Sequence, residues 1–268
     1  MGEKRRETVY IVSQEEIAKD IFSLWLQTET IAENAKPGQF ISLYSRNESK
    51  LLPRPISICE IDREKKRLRL VYRVTGKHTG TEEFSRLHAR VGLQAIGPLG
   101  NGFPLDMAKG KRVLLMGGGI GIPPMLQVAK ALAAGSDPQE GAKICAVLGY
   151  RDTLFLDQEF QNITKTVIAT EDGSAGTKGT VMDAIRENHL DAEIIFACGP
   201  APMLRAIQAY AAEKQIPCWI SMEERMACGI GACLACVCRS KEVDEHSHVH
   251  NKRVCKDGPV FLSTEVEL

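Results

Sequence analysis

The chain has 268 residues, 44% of them hydrophobic and 25% charged, with Lys+Arg and Asp+Glu equal at 34 each. That is enough for about two domains of ~150 residues, and the hydrophobic share excludes intrinsic disorder. With no basic excess to neutralise phosphates, nucleic acid is not an expected partner.

The N-terminal stretch MGEKRRETVY lacks the apolar core of a secretory signal. No apolar run approaches the ~20 residues of a bilayer span. A protein with no membrane association and a cytoplasmic location is therefore expected. In a reducing cytoplasm its nine cysteines read as metal ligands or redox groups more readily than as disulfides.

Residues 1–104 are expected to be all-β. Runs at 8–13, 21–27, 40–44, 56–61 and 68–74 carry β-branched or aromatic residues. Turn signals such as Pro37-Gly38 and the polar stretch 62–67 separate them, the spacing of a barrel or sandwich. A short helix is expected at 82–87. The Gly- and Pro-dense stretch 97–102 closes the unit.

The rhythm then changes. Strands are expected at 113–116, 144–150, 166–170, 194–198 and 218–222, and helices at 124–134, 156–162, 181–187 and 202–214. Alternation of this kind implies a parallel sheet with crossover helices. The last stretch is cysteine-rich and irregular. The expected organisation is a multidomain β plus α/β chain, divided into 1–104, an α/β unit at 105–220 and a small unit at 221–268.

Five of the cysteines are Cys228, Cys233, Cys236, Cys238 and Cys255. The run Cys228-Gly-Ile-Gly-Ala-Cys233-Leu-Ala-Cys236 with a distant Cys255 has the spacing C-x4-C-x2-C…C, which is that of plant-type [2Fe–2S] ferredoxins. Such a loop must bring three thiolates together and aim backbone N–H groups at the sulfurs, and Gly229 and Gly231 permit that approach. Zinc is the rival ligand. Zinc sites usually draw cysteine pairs from both halves, whereas Cys255 stands alone. Cys238 reads as a packing residue, and Cys59, Cys145 and Cys218 as core. His246, His248 and His250 alternate, so a strand would put them on one face as metal ligands; a solvated loop is the plainer reading.

Val113–Met116 runs into Gly117-Gly118-Gly119-Ile120-Gly121-Ile122-Pro123-Pro124. A strand, glycines and a helix start form a phosphate-binding geometry, although the pattern is not G-x-G-x-x-G and a structural turn is the bland alternative. Cys198-Gly199-Pro200 ends another strand. Ligands of open α/β sheets bind at the carboxyl ends of strands, where both motifs should lie. Together they point to a nicotinamide dinucleotide. Arg151, just after a strand, leaves NAD against NADP open.

In the first unit, Arg54-Pro55-Ile56-Ser57 offers a cation for a pyrophosphate and a hydroxyl for a flavin edge. Val71-Tyr72-Arg73 adds an aromatic and a second cation. Gly80-Thr81 precedes the expected helix, as His78-Thr79 also does. Any one of these alone is an ordinary strand or turn.

In this order the motifs resemble the ferredoxin–NADP reductase superfamily. The block from Glu223-Glu224-Arg225-Met226 through Cys238, with Val254-Cys255-Lys256-Asp257-Gly258-Pro259, narrows the resemblance. It is similar to the electron-transfer subunits of NAD-dependent, type B dihydroorotate dehydrogenases, over essentially the whole chain.

The resemblance implies an N-terminal antiparallel β-barrel FAD domain, a parallel-sheet NAD domain and a C-terminal [2Fe–2S] domain. Arg54, Pro55, Ile56, Ser57, Val71, Tyr72, Arg73, Gly80 and Thr81 would bind FAD. Gly117, Gly118, Gly119, Gly121, Cys198, Gly199 and Pro200 would face NAD(H). Cys228, Cys233, Cys236 and Cys255 would hold the cluster. It further implies a separate FMN-containing catalytic subunit, in a heterotetramer of two plus two, that oxidises dihydroorotate in pyrimidine biosynthesis and passes electrons through this chain to NAD.

Two other readings stand beside it. One is the input subunit of a bifurcating ferredoxin–NADP or sulfide dehydrogenase complex, where a non-cysteine cluster ligand can occur. The other is a zinc-stabilised binding module without turnover.

Overall fold

The computed structural model describes residues 4–135, 141–243 and 248–268. Six strands form the first unit: β1 (Arg5–Ala18), β2 (Ile21–Gln27), β3 (Phe40–Leu43), β4 (Arg54–Asp62), β5 (Arg67–Arg73) and β6 (Gly92–Leu99). They close into a barrel in the order β1-β2-β5-β4-β3-β6, and the paired strands are antiparallel. Alternation decides what each strand buries. Ile41 and Leu43 of β3 join Leu24, Leu26, Ile58, Leu68 and Leu70 inside the barrel, which leaves Phe40 and Ser42 facing outward.

Two elements of this unit escape the sequence reading. β6 looks like a closing turn because Gly92, Gly97 and Pro98 interrupt it, yet it pairs with both β1 and β3. The short helix α1 (Ile31–Asn34) is set up from a distance: the Glu7 carboxylate accepts the N–H groups of Glu29 and Thr30 at 3.1 and 3.0 Å. The expected helix at 82–87 begins earlier, as α2 (Gly80–Ser85), with Thr79 as its N-cap.

The second unit holds α3 (Ile122–Ala134), α4 (Asp157–Gln161), α5 (Val181–Glu187) and α6 (Ala201–Lys214). Its strands are β7 (Arg112–Gly118), β8 (Lys143–Tyr150), β9 (Lys165–Thr170), β10 (Thr177–Lys178), β11 (Ile194–Cys198) and β12 (Cys218–Ser221). β11 and α5 fall where the sequence puts them. Thr180 and Asp183 cap α5 reciprocally, which fixes its start.

The last stretch is less irregular than expected. β13 (Val237–Arg239) and β14 (Asn251–Arg253) pair antiparallel, and β15 (Val260–Leu262) runs antiparallel to β12. The large sheet thus has the order β10-β9-β8-β7-β11-β12-β15. Through β15 the cysteine-bearing segment is part of the α/β sheet, and Asn101 ties it to the barrel by bonds to the carbonyls of Asp257 and Val260, both 3.0 Å. Cys59, Cys218 and Cys238 are buried as expected, while Cys145 is half-buried. No described helix is long and apolar enough to cross a membrane.

Candidate functional site

A groove of about 240 Å3 opens where the three units meet. Pro55, Ile56 and Ser57 of β4, Val71, Tyr72 and Arg73 of β5, and Thr81 of α2 form one wall. Ile120 of the glycine turn and the segment Ser221–Met226 contribute the other, with Phe40 and Pro259. Residues expected to share one ligand are thus brought together.

Arg54 lies beside this wall, over the first residue of α2. A Cβ on Gly80 would sit 2.6 Å from Arg54 Nε, so only glycine leaves the guanidinium its place. Thr79 Oγ1 accepts the N–H of Glu82 at 3.2 Å and is 3.1 Å from Thr81 Oγ1. Of the two sequence alternatives, Thr81 lines the groove, whereas His78 is exposed with a φ of 62°. Tyr72 sits deeper than expected. Its ring stacks on Phe22 with centroids 5.8 Å apart, and its hydroxyl donates to Gln14 Oε1 at 2.8 Å. Burial raises that phenol above its usual range.

The glycine turn and the Cys198 segment are neighbours. Gly117 pairs in register with Cys198, at the carboxyl ends of β7 and β11. A Cβ on Gly121 would meet the Cys198 carbonyl carbon and oxygen at 2.5 Å, so the turn needs glycine for the β11 backbone to pass beneath it. Met203 packs over both Gly118 and Gly199, and Pro200 starts α6. Burial drives the Cys198 thiol well above the usual range, helped by Glu223 and opposed by Ser221. It is a neutral packing group, unsuited to nucleophilic attack.

On the far side of Arg73 a second cavity of about 450 Å3 is lined by Gly119, Tyr150, Arg151, Asp152, Lys19 and Asp20. Arg151 pairs there with Asp152 at 3.1 Å. A hollow of about 740 Å3 beside α6 and the C-terminus contains none of the expected site residues.

Beyond the groove, the cysteines fall into two pairs. The N–H of Cys228 donates to Cys233 Sγ at 3.5 Å, and that of Cys255 to Cys236 Sγ at 3.4 Å. The N–H of Ala232 donates to Cys228 Sγ at 3.3 Å. Burial alone would raise the Cys228 thiol. Donors from Ile230, Cys233 and Ala232 outweigh it and bring the thiol down to about 6, the environment a thiolate ligand needs. Burial and the neighbouring Cys236 push Cys255 up to about 12.

Among the described residues no three His, Cys, Asp or Glu side chains converge closely enough for a single metal ion. The four cysteines are instead arranged as two thiol pairs with N–H groups aimed at sulfur. Cys238 Sγ turns away, to the Lys252 carbonyl at 3.5 Å. His248 and His250 are exposed, and His246 lies outside the described residues.

Sequence reasoning missed Glu223 and Met226 as groove residues. Glu223 opens onto the cleft, and partial enclosure raises its carboxyl above the usual range. The signal was the Glu223-Glu224-Arg225-Met226 block, which the sequence reading used for the resemblance but not for the groove.

A barrel, an α/β sheet and a cysteine loop around one cleft define a ferredoxin-reductase-type flavoprotein with an appended iron–sulfur unit. Comparison with known proteins agrees. Residues 115–209 match the oxidoreductase NAD-binding domain, and residues 223–267 match the iron-sulfur cluster binding domain of dihydroorotate dehydrogenase B.

The chain is 42% identical, over 98% of its length and 99% of the relative's, to the "Dihydroorotate dehydrogenase B (NAD(+)), electron transfer subunit" of Geobacillus sp. (strain WCH70). It is 41% identical to the protein of the same name in Bacillus cereus (strain B4264), with the same coverage. Among solved structures, an NADH-dependent reduced ferredoxin-NADP oxidoreductase studied for flavin-based electron bifurcation superposes with a TM-score of 0.82 at 30% identity, over 96% of this chain and 89% of that one. The cytochrome P450 reductase GcoB of Amycolatopsis shares the fold, with a TM-score of 0.66 at 23% identity over 80% of this chain and 68% of that one. The chain belongs to the family of dihydroorotate dehydrogenase B electron transfer subunits.

Proposed function

We propose that this chain carries electrons between an FMN-containing, dihydroorotate-oxidising partner subunit and NAD, as a cytoplasmic step of pyrimidine biosynthesis. The observation that carries the reading is the groove in which Pro55–Ser57, Val71–Arg73 and Thr81 face Ile120 of the Gly117–Gly121 turn and the Ser221–Met226 segment that leads into the paired cysteines. When bound, FAD exchanges a hydride with nicotinamide and single electrons with a [2Fe–2S] centre.

The rest is the work of the chain's own residues. Arg54, Gly80 and Thr81 hold the charged part of FAD, and Pro55–Ser57, Val71 and Arg73 bound its ring, with Tyr72 setting the wall from inside the barrel. Gly117, Gly118, Gly119, Gly121, Gly199 and Pro200 admit NAD(H), and the neutral Cys198 packs beneath it. Cys228, Cys233, Cys236 and Cys255 would hold the iron–sulfur cluster. The division 1–104, 105–220 and 221–268 follows these three tasks, with β15 returning to the sheet.

Ile230, Leu234 and Val237 are exposed around the cysteine loop. That apolar patch suits a protein partner, and we place the catalytic subunit there, in a heterotetramer of two plus two. The bifurcating reading has support in the structural likeness at 30% identity. The higher identity, 42%, to the dihydroorotate dehydrogenase B subunit favours the first.

The test is reconstitution. The chain alone should oxidise NADH with artificial acceptors and leave dihydroorotate untouched, and addition of the partner should confer dihydroorotate-dependent NAD reduction. Dihydroorotate turnover by the isolated chain would contradict the two-subunit scheme.

A further inference from the structure

Buried hydroxyls in this fold generally have partners: Ser23 Oγ accepts from Arg69 Nε at 2.9 Å, and Ser240 Oγ donates to the Glu242 carbonyl at 2.6 Å. Ser42 differs. It is 1% exposed, and its Oγ is one of two buried side-chain polar atoms without a hydrogen-bond partner among the described residues. An unmade hydrogen bond at such a site is costly, so a buried orphan calls for an explanation.

Its place in the fold supplies one. On β3, Ile41 and Leu43 fill the barrel, and the outward positions are Phe40 and Ser42. Phe40 lines the groove. Two residues on, Ser42 meets the cysteine loop: a Cβ on Gly229 would lie 2.9 Å from Ser42 Oγ and 3.5 Å from Leu99 Cδ1. Gly229 adjoins Cys228 and has a φ of 67°, where other residues are strained. A buried O–H, a residue with no side chain to cover it and an expected cluster ligand are thus contiguous. Ser42 itself lies on β3, the strand that also borders the groove through Phe40.

We propose that the Ser42 hydroxyl donates a hydrogen bond to a sulfur of the iron–sulfur centre on its Cys228 side, and so sets the centre's reduction potential. The proposal rests on the ligand reading above. Hydrogen bonds to sulfur are one of the levers on cluster potential, since they favour the form carrying the extra electron. The N–H groups of Ile230 and Ala232 already act on Cys228, and Ser42 adds a side-chain donor from the barrel. Potential tuning is thereby coupled to the strand that lines the flavin groove.

The experiment is a potentiometric titration of the full chain, prepared anaerobically, followed by electron paramagnetic resonance of the reduced centre. In Ser42→Ala the reduced-to-oxidised ratio at a fixed potential should fall about ten-fold, equivalent to about 59 mV for one electron. The resonance should shift and the flavin potential should stay in place. Ser42→Thr, which keeps the hydroxyl, should restore most of the parent value.

A Ser42→Ala protein with full iron and sulfide and an unchanged cluster potential overturns the proposal. If that variant does not load, Ser42→Gly is judged by the same criterion. Absence of iron and sulfide from the parent chain would instead sink the ligand reading.

Discussion

Arg54 and Gly80 form a matched pair: the guanidinium occupies the space a Cβ would take, 2.6 Å from Nε. Arg54→Ala should therefore weaken FAD retention by at least ten-fold, ~1.4 kcal/mol, while the affinity for NADH changes little. Fluorescence of released flavin and an NADH titration separate the two, and the reverse order of effects would reject the division of labour between barrel and sheet. Cys233 is the exposed member of its pair. Cys233→Ser should abolish the visible absorbance of the cluster while much of the flavin remains, and survival of that absorbance would remove Cys233 from the ligand set.

Among the elements, the turn between β7 and α3 is tightly constrained. Gly121→Ala forces a methyl against the Cys198 carbonyl at 2.5 Å. Overpacking of this kind costs ~1–3 kcal/mol, and the displaced turn should raise KM for NADH more than it lowers flavin content. An unchanged KM would show that the turn does not face the dinucleotide.

What could be read from sequence at this scale depended on where the signals lie. β11 and α5 were legible because each carries its own, a short apolar run in one and a local Thr180–Asp183 cap in the other. β6 was not, because its glycines and proline mask the alternation, and α1 was not, because its capping carboxylate comes from Glu7. The cofactor motifs were legible as local patterns. Glu223 and Ser42 owe their positions to pairings between distant segments, which no local pattern encodes.

Across the whole molecule, a partly buried ion network fastens the barrel to the α/β unit. Arg69 of β5 reaches Glu60 of β4 at 2.6 Å and Glu159 of α4 at 2.8 Å, and Lys130 of α3 also pairs with Glu60, at 2.5 Å. The N–H of Ile61 donates to Gln127 Oε1 at 2.6 Å, a second tie from β4 to α3. Without Arg69, Glu60 keeps Lys130 and Glu159 turns to water, so Arg69→Met should lower stability by ~1 kcal/mol. It should also slow hydride exchange between NADH and flavin, because the two walls of the cleft would no longer be held in register. Denaturant melts with stopped-flow flavin reduction check both, and a variant that reacts at the parent rate would leave the network a purely structural role.

The relay as a whole requires iron at the paired cysteines. Iron and acid-labile sulfide, assayed on anaerobically prepared protein, should be present in the proportions of one [2Fe–2S] centre per chain. Material that retains flavin but contains neither iron nor labile sulfide would contradict it.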